Sequence, residues 1–365
     1  MDIGVPRERR IHEHRVGLTP AGVELLAAEG HNCYVESGAG LGADFTDVDY
    51  ERAGARIVYS GEEVYGRGEF ILKAARPTVA EFEWMQEGQL LMGFVHLAAA
   101  RRDKVELLLD KRITVIAYET VANDDGSLPI LATMSQIAGR MCPHVASTLL
   151  QNDKGGKGVL LEGVPGVPPA DVVILGGGTL GTHAARAFLG TGARVILISR
   201  DLKKLQRLDE MFAGRVTTML SHSFNIRKVI SFADVLVGAV HIPGARTPVL
   251  VRRELVASMR PRSLIMDPSI DQGGCVETSR PTTHGTPTYV EENVIHYCVP
   301  NMAGAVGRTA THALNNATWP FVREIVRRGL DAALKADPAL ARGVATRDGQ
   351  IVNKALADLM RAGSL

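Results

Sequence analysis

At 365 residues the chain exceeds the ~100–200 residues of one usual domain, so two domains are expected. A formal charge of +1 with 22% charged residues gives no electrostatic footprint for nucleic acid or an anionic membrane, leaving small polar molecules as partners. Cys33, Cys142, Cys275 and Cys298 match neither a zinc spacing nor a disulfide framework, which points to buried thiols in a reducing compartment and to no bound metal.

The opening MDIGVPRERR becomes charged before an apolar signal core could form. The longest apolar stretch, residues 90–100, is broken by Gly93 and His96 and is too short for a bilayer, so a cytoplasmic protein is expected. Strand-like runs at residues 2–5, 32–36, 70–72, 90–95 and 115–118 alternate with helical patterns such as 19–29, which has a Thr-Pro start and a Gly30 stop. A long helical stretch over 133–151 leads into GGKGVLLEGVPGVPPAD, whose glycines and prolines predict turns and a hairpin. Further strands are expected at 172–175, 194–198, 235–238 and 263–266, and a helical pattern runs from NMAGAVGRTATHALNNATWP to the end. The fold class is α/β with mostly parallel sheets.

GGGTLG places Gly176, Gly178 and Gly181 in G-x-G-x-x-G spacing, directly after the apolar run DVVIL and before THAARAFLGTG. Glycines there permit a tight turn and close approach of backbone amides to a pyrophosphate, while the helix N-terminus favours the anion. The spacing alone is weak evidence; the strand before it, the helix after it and a second strand ending at Ile198 point to a dinucleotide. An acidic residue that holds a ribose hydroxyl is expected about 20 residues on. Ser199 and Arg200 stand there instead: serine does not repel a 2′-phosphate and arginine can pair with one, so the reading leans to NADP, with NAD open. Lys203 and Lys204 add positive charge. On the other reading Arg200 is merely solvated and Asp201 serves the ribose.

Several segments, IGVPRE, EHRVGLTPAGV, LLMGFVHLAAA, VIAYETV, LPILATMSQIAGR, GVPGVPPADVVILGGGTLG, MDPSIDQGGCVETSRPTTH and YCVPNMAGAVGRTATHALNNAT, resemble the alanine dehydrogenase family, in register over nearly the whole chain. The family is related to the nucleotide-binding part of proton-translocating transhydrogenase. The resemblance implies two Rossmann-like domains. The substrate domain comprises residues 1–134 with the C-terminal helices of 305–365, and a cofactor domain of 135–304 is inserted in it. It also implies a homo-oligomer, hexamer or dimer, that transfers hydride between NADP(H) or NAD(H) and a 2-oxo acid or imine and its amino acid.

Reductive amination needs a cation for the carboxylate, an acid/base near the reacting carbon and a positioned hydride donor. Arg15 is the candidate clamp, since a guanidinium matches a carboxylate at two points; without the resemblance it would read as a surface residue beside Arg7, Arg9 and Arg10. His96 follows an apolar strand, where such sheets place ligands, and matches the family's acid/base; Asp271 in SIDQGGC matches its catalytic aspartate, or else is a turn residue before Gly273. For the cofactor, the resemblance implies Met134 and Ser135 at the hinge and nicotinamide, with Val240, Asn301 and Met302 across the cleft. Thr179 and Leu180 fall at the pyrophosphate, Ser199, Arg200 and Lys204 at the adenosine ribose, and Ser221 near the adenine.

The chain also departs from the family. In ILKAARPT, Ala75 stands where the family has a substrate-binding lysine and Arg76 where it has a glutamate. Lys73 is offered as a substitute because i and i+2 share a strand face, and Arg76 as a nearby cation; either would suit a substrate other than plain pyruvate. Two family prolines are replaced by Ala303 and Gly307, which predicts a looser connection there. The alternative function is a non-catalytic dinucleotide-binding homologue.

Overall fold

The computed structural model describes residues 1–240, 242 and 246–362. The chain forms two units, Met1–Met134 with Gly304–Leu365, and Ser135–Ala303.

The first unit is built on a sheet of eight strands: β1 (Asp2–Val5), β2 (Asn32–Glu36), β3 (Arg56–Val58), β4 (Phe70–Leu72), β5 (Leu90–Gly93), β6 (Thr114–Ala117), β14 (Val344–Arg347) and β15 (Gln350–Ile351). Their order is β15-β14-β6-β5-β4-β1-β2-β3. β1 to β6 run parallel, and β14 pairs antiparallel with both β6 and β15. The all-helical expectation for the C-terminal segment is therefore corrected. Asp348 (φ 49°) and Gly349 (φ 76°) supply the two positive-φ residues of a tight hairpin, a turn that Asp-Gly favours.

The second unit carries β7 (Asp171–Leu175), β8 (Arg194–Ser199), β9 (Val216–Leu220), β10 (Val235–Gly238), β11 (Leu264–Met266), β12 (Thr288–Glu291) and β13 (Val294–Tyr297), in the order β12-β13-β11-β10-β7-β8-β9. All neighbours are parallel except β12 with β13. Every residue of DVVIL is buried because helices cover both faces: Val172 and Ile174 enter one apolar core, Val173 and Leu175 the other. Counted from its first strand, the first sheet begins with the doubly wound order 3-2-1-4-5-6 and the second runs 3-2-1-4-5-7-6; the order reverses beside β1 in one and β7 in the other. The predicted hairpin in the Gly-Pro segment is the small bridge Val164 to Val167. Among the described residues no helix is long and apolar enough to cross a membrane.

His296 on β13 gives the second unit a pH-dependent stability. It is 0% exposed, its Nδ1 donates to the Val294 carbonyl at 2.9 Å, and its Nε2 lies 2.7 Å from Thr278 Oγ1. Burial holds its pKa below the ordinary histidine value. The unfolded chain then takes up the proton first as pH falls through about 6.5, so stability is lost in the acid direction. The unfolding free energy, followed by circular dichroism in urea from pH 7 to 5, should fall by up to about 1.4 kcal/mol per pH unit more for the wild type than for His296→Gln. Equal slopes would refute the assignment.

Candidate active site

In the first unit the order reversal gathers the loops leaving β1, β4, β5 and β6 at one edge, the place where open α/β sheets bind ligands. The β1 loop carries Arg15, which is 6% exposed. Its Nε and Nη2 donate to Glu13 Oε1 and Oε2 at 2.7 and 2.6 Å, and its Nη1 to Met134 Sδ at 3.3 Å. The guanidinium also lies over the Phe94 ring, 5.8 Å from its centroid. The β5 loop carries His96, whose imidazole stacks on the same Phe94, with centroids 6.0 Å apart and 12° between planes. Two predicted residues thus meet on one aromatic ring that sequence reasoning passed over.

His96 has φ 44° and ψ 50°, a left-handed conformation that costs a non-glycine residue about 1–2 kcal/mol. Glu119, on the loop after β6, holds it there. The His96 N–H donates to Glu119 Oε1 at 2.6 Å, and Nδ1 lies 3.9 Å from the same oxygen. A carboxylate so placed fixes the backbone that carries the ring.

Lys73, expected as a substitute for the missing lysine, is drawn into a buried ion-pair triad. β4 ends at Leu72, so the shared-face rule does not carry to residue 75. The Lys73 side chain is 0% exposed, and its Nζ pairs with Glu8 Oε2 at 2.9 Å and Glu81 Oε1 at 2.6 Å. Burial alone would lower the Lys73 pKa, but the two glutamates hold it above the ordinary value. Burial raises Glu8; burial would raise Glu81 too, but Lys73 and the hydrogen bonds from Thr78 bring it below the usual range. Glu8 Oε1 also accepts the N–H groups of Ala74 and Ala75, so the triad locks the loop bearing the alanine. Arg76 beside it is half-buried, and its carbonyl accepts from Arg10 Nε.

The proline replacements also need correction. Gly307 is buried at the start of the helix Gly307–Arg328, and a Cβ there would lie 2.6 Å from His14 O and 2.7 Å from Gly42 O. The residue is confined by close backbone contact rather than loosened.

In the second unit the fingerprint forms a cradle. Gly176 has φ 112°, and a Cβ on it would stand 2.2 Å from Ala239 O; one on Gly181 would stand 1.9 Å from Gly176 O. Gly178 caps the helix Thr179–Gly190, whose first turn includes Thr179, Leu180 and Gly181 and presents backbone N–H groups at the loop. Only glycine fits at 176 and 181, while the space beside Gly178 is open; the loop's backbone is thereby left within reach of a diphosphate, so the residues present fit a dinucleotide. Gly177 lies beside Ser199, at the end of β8; the Ser199 hydroxyl accepts the Asp201 N–H at 3.2 Å, and the Ser221 N–H donates to Ser199 O at 2.9 Å. Asp201 caps the helix Leu202–Phe212, accepting from Lys204 N at 3.1 Å. Arg200 and Lys204 are exposed.

The Val240 N–H donates to Ser269 Oγ at 3.1 Å, which ties the loop after β10 to the short helix Pro268–Gln272 bearing the exposed Asp271. Asn301 is half-buried and its carbonyl lies 2.8 Å from His284 Nε2, while Met302 is buried. Ser135 is half-buried in the helix Pro129–Leu149.

A Rossmann-type sheet with a glycine cradle, and a second doubly wound sheet presenting arginine and histidine at its own reversal, define an oxidoreductase that uses a nicotinamide dinucleotide. The alanine dehydrogenase/PNT N-terminal domain matches residues 4–138 and the corresponding C-terminal domain residues 142–354. The chain belongs to this alanine dehydrogenase/PNT family, as an amino-acid dehydrogenase. It is 49% identical to an alanine dehydrogenase of Methanococcus maripaludis over 98% of this chain and 96% of that one. It is 44% identical to an alanine dehydrogenase of Mycobacterium tuberculosis over the same shares. A solved L-alanine dehydrogenase superposes with a TM-score of 0.93 at 46% identity over 99% of each chain. A transhydrogenase of Sinorhizobium meliloti, TM-score 0.81 at 21% identity, covering 96% of this chain and all of that one, shares the fold.

Proposed function

We propose that the chain interconverts an amino acid with its 2-oxo acid or imine using NADP(H), and that Arg15 holds the substrate carboxylate while His96 moves the proton. The observation that carries this reading is the joint placement of the Arg15 guanidinium and the His96 imidazole on Phe94. Nη1 of Arg15 rests on a thioether, a weak acceptor that a carboxylate outcompetes. Gly176, Gly178, Thr179, Leu180 and Gly181 would hold the diphosphate, with Ser135, Val240, Asn301 and Met302 toward the nicotinamide and Ser221 toward the adenine. The bound dinucleotide supplies or accepts the hydride.

Ala75 supplies no cation to polarise a carbonyl, and Lys73 is held by its glutamates. A protonated imine already carries the positive charge, so the reading favours an imine, or an oxo acid larger than pyruvate with Arg76 near its far end. The assay is loss of reduced-nicotinamide absorbance with a panel of 2-oxo acids plus ammonia or methylamine. Turnover is expected, faster with methylamine than with ammonia. No turnover with any pair, despite tight NADPH binding, overturns the catalytic reading.

For the cofactor, Ser199 offers a hydroxyl where an acid would repel a 2′-phosphate, and Asp201 is engaged in capping. Ser199→Asp should lower kcat/KM for NADPH about 100-fold, since like charges in contact cost several kcal/mol, and should raise it for NADH. Asp201→Ala should leave the preference unchanged. Equal use of NADPH and NADH by the wild type would refute NADP selectivity.

A further inference from the structure

We propose that the helix Gly307–Arg328 is the ruler that positions Arg15, acting through a stripe of three residues, Gly307, Thr311 and Asn315, spaced four apart on one face. The proposal rests on Arg15 as the carboxylate clamp. The segment before and after Arg15 touches this stripe at three successive steps. His14 lies against Gly307 and Gly42, and a Cβ on Gly42 would stand 2.8 Å from both His14 Cα and His14 O, just as one on Gly307 would meet His14 O at 2.6 Å. The Val16 N–H donates to Thr311 Oγ1 at 3.2 Å, and the Thr19 N–H to Asn315 Oδ1 at 2.7 Å. Arg15 sits between the first two anchors.

Other contacts pin the same segment from the opposite direction. A Cβ on Gly17 would fall 2.1 Å from Leu72 O, and the Tyr50 hydroxyl donates to the Leu18 carbonyl at 2.7 Å. Thr311 is 0% exposed and Asn315 8%, so water cannot stand in for either partner. A segment without regular structure, whose buried N–H groups are satisfied by side chains of one helix, takes its position from that helix. Thr311 and Asn315 touch no reacting group on this account; they are positioning residues. Gly307 keeps the helix start close enough for the register to hold, and Asn315 steadies itself by donating to the Thr311 carbonyl at 3.2 Å.

The test uses the full-length enzyme and the oxo acid and amine pair with the highest kcat/KM in the panel. Thr311→Val keeps the shape and removes the acceptor of the Val16 N–H; it should raise KM for the oxo acid about tenfold, as an unsatisfied buried donor does, with kcat within about twofold and KM for NADPH unchanged. Thr311→Ser should restore the wild-type KM. Gly307→Ala, an independent perturbation of the same register, should raise the same KM about as much. In a double-mutant cycle, Thr311→Val added to Arg15→Lys should give no further rise, because both act through one guanidinium. If Arg15→Lys raises KM but folded Thr311→Val and Gly307→Ala leave it at the wild-type value, or if the cycle is additive, the ruler is wrong. If Arg15→Lys itself leaves KM unchanged, the carboxylate assignment fails first and the ruler with it.

Discussion

Replacing Lys73 by methionine should cost about 3–5 kcal/mol of stability, because removing one partner of a buried ion pair strands the charge of the others. Glu8 and Glu81 both point at Nζ, and the side chains of Lys73 and Glu81 are wholly buried. Without the ammonium these carboxyls can stay buried only by protonating, so their folded pKa values rise above the unfolded glutamate value of about 4.3. A carboxyl with a raised folded pKa stabilises the fold as pH falls through that value. The deficit of Lys73→Met should therefore be largest near pH 8 and shrink by at least about 1 kcal/mol at pH 5. Adding Glu8→Gln and Glu81→Gln should recover most of the loss, since the amide oxygen at residue 8 still accepts from Ala74 and Ala75. Both tryptophans, Trp84 and Trp319, lie in the unit that holds Lys73, so their fluorescence in urea reads it directly. A deficit below about 1 kcal/mol at pH 8, or one that ignores pH, would show that the triad contributes little.

The parts of the fold that could be read from sequence are the parts covered on both faces. β7, β8 and β10 appear as apolar runs because helices lie on either side of the sheet. The strands that sequence reasoning did not place include all four sheet edges, β3, β9, β12 and β15. An edge strand buries less: β9 reads VTTML with only Val216 buried, and β12 has no buried residue. β13 is buried but interrupts its apolar run with His296, whose polarity is satisfied by Thr278, a partner far along the chain.

The site was legible one residue at a time but not as a set of pairs. The glycine spacing is legible locally, because the turn it builds depends on backbone close to it in sequence. The ion pairs of Lys73 are not legible in its own segment, because Glu8 and Glu81 lie elsewhere in the chain and the strand rule expires at Leu72. Phe94 went unnoticed beside His96, although an aromatic two residues before a candidate histidine, at a strand end, is a signal for a stacked pair. Gly307 looked like a lost proline because local reasoning sees backbone freedom and cannot see the His14 carbonyl that fills the space.

His96 separates function from stability more sharply than any other residue of the proposed site. Its left-handed backbone penalises most side chains, whereas asparagine tolerates it and glycine is unstrained. His96→Asn and His96→Gly should therefore leave the thermal midpoint unchanged or raise it, while His96→Ala lowers it. All three remove the imidazole and should reduce kcat about 10²–10⁴-fold, the usual worth of a positioned acid/base, with affinity for the nicotinamide dinucleotide unchanged. Glu119→Gln keeps both the imidazole and an oxygen to accept the His96 N–H, so its loss of kcat should be smaller than that of His96→Asn. Retention of kcat within tenfold in His96→Asn would mean that the proton moves through another group and that Phe94 stacks a merely structural histidine.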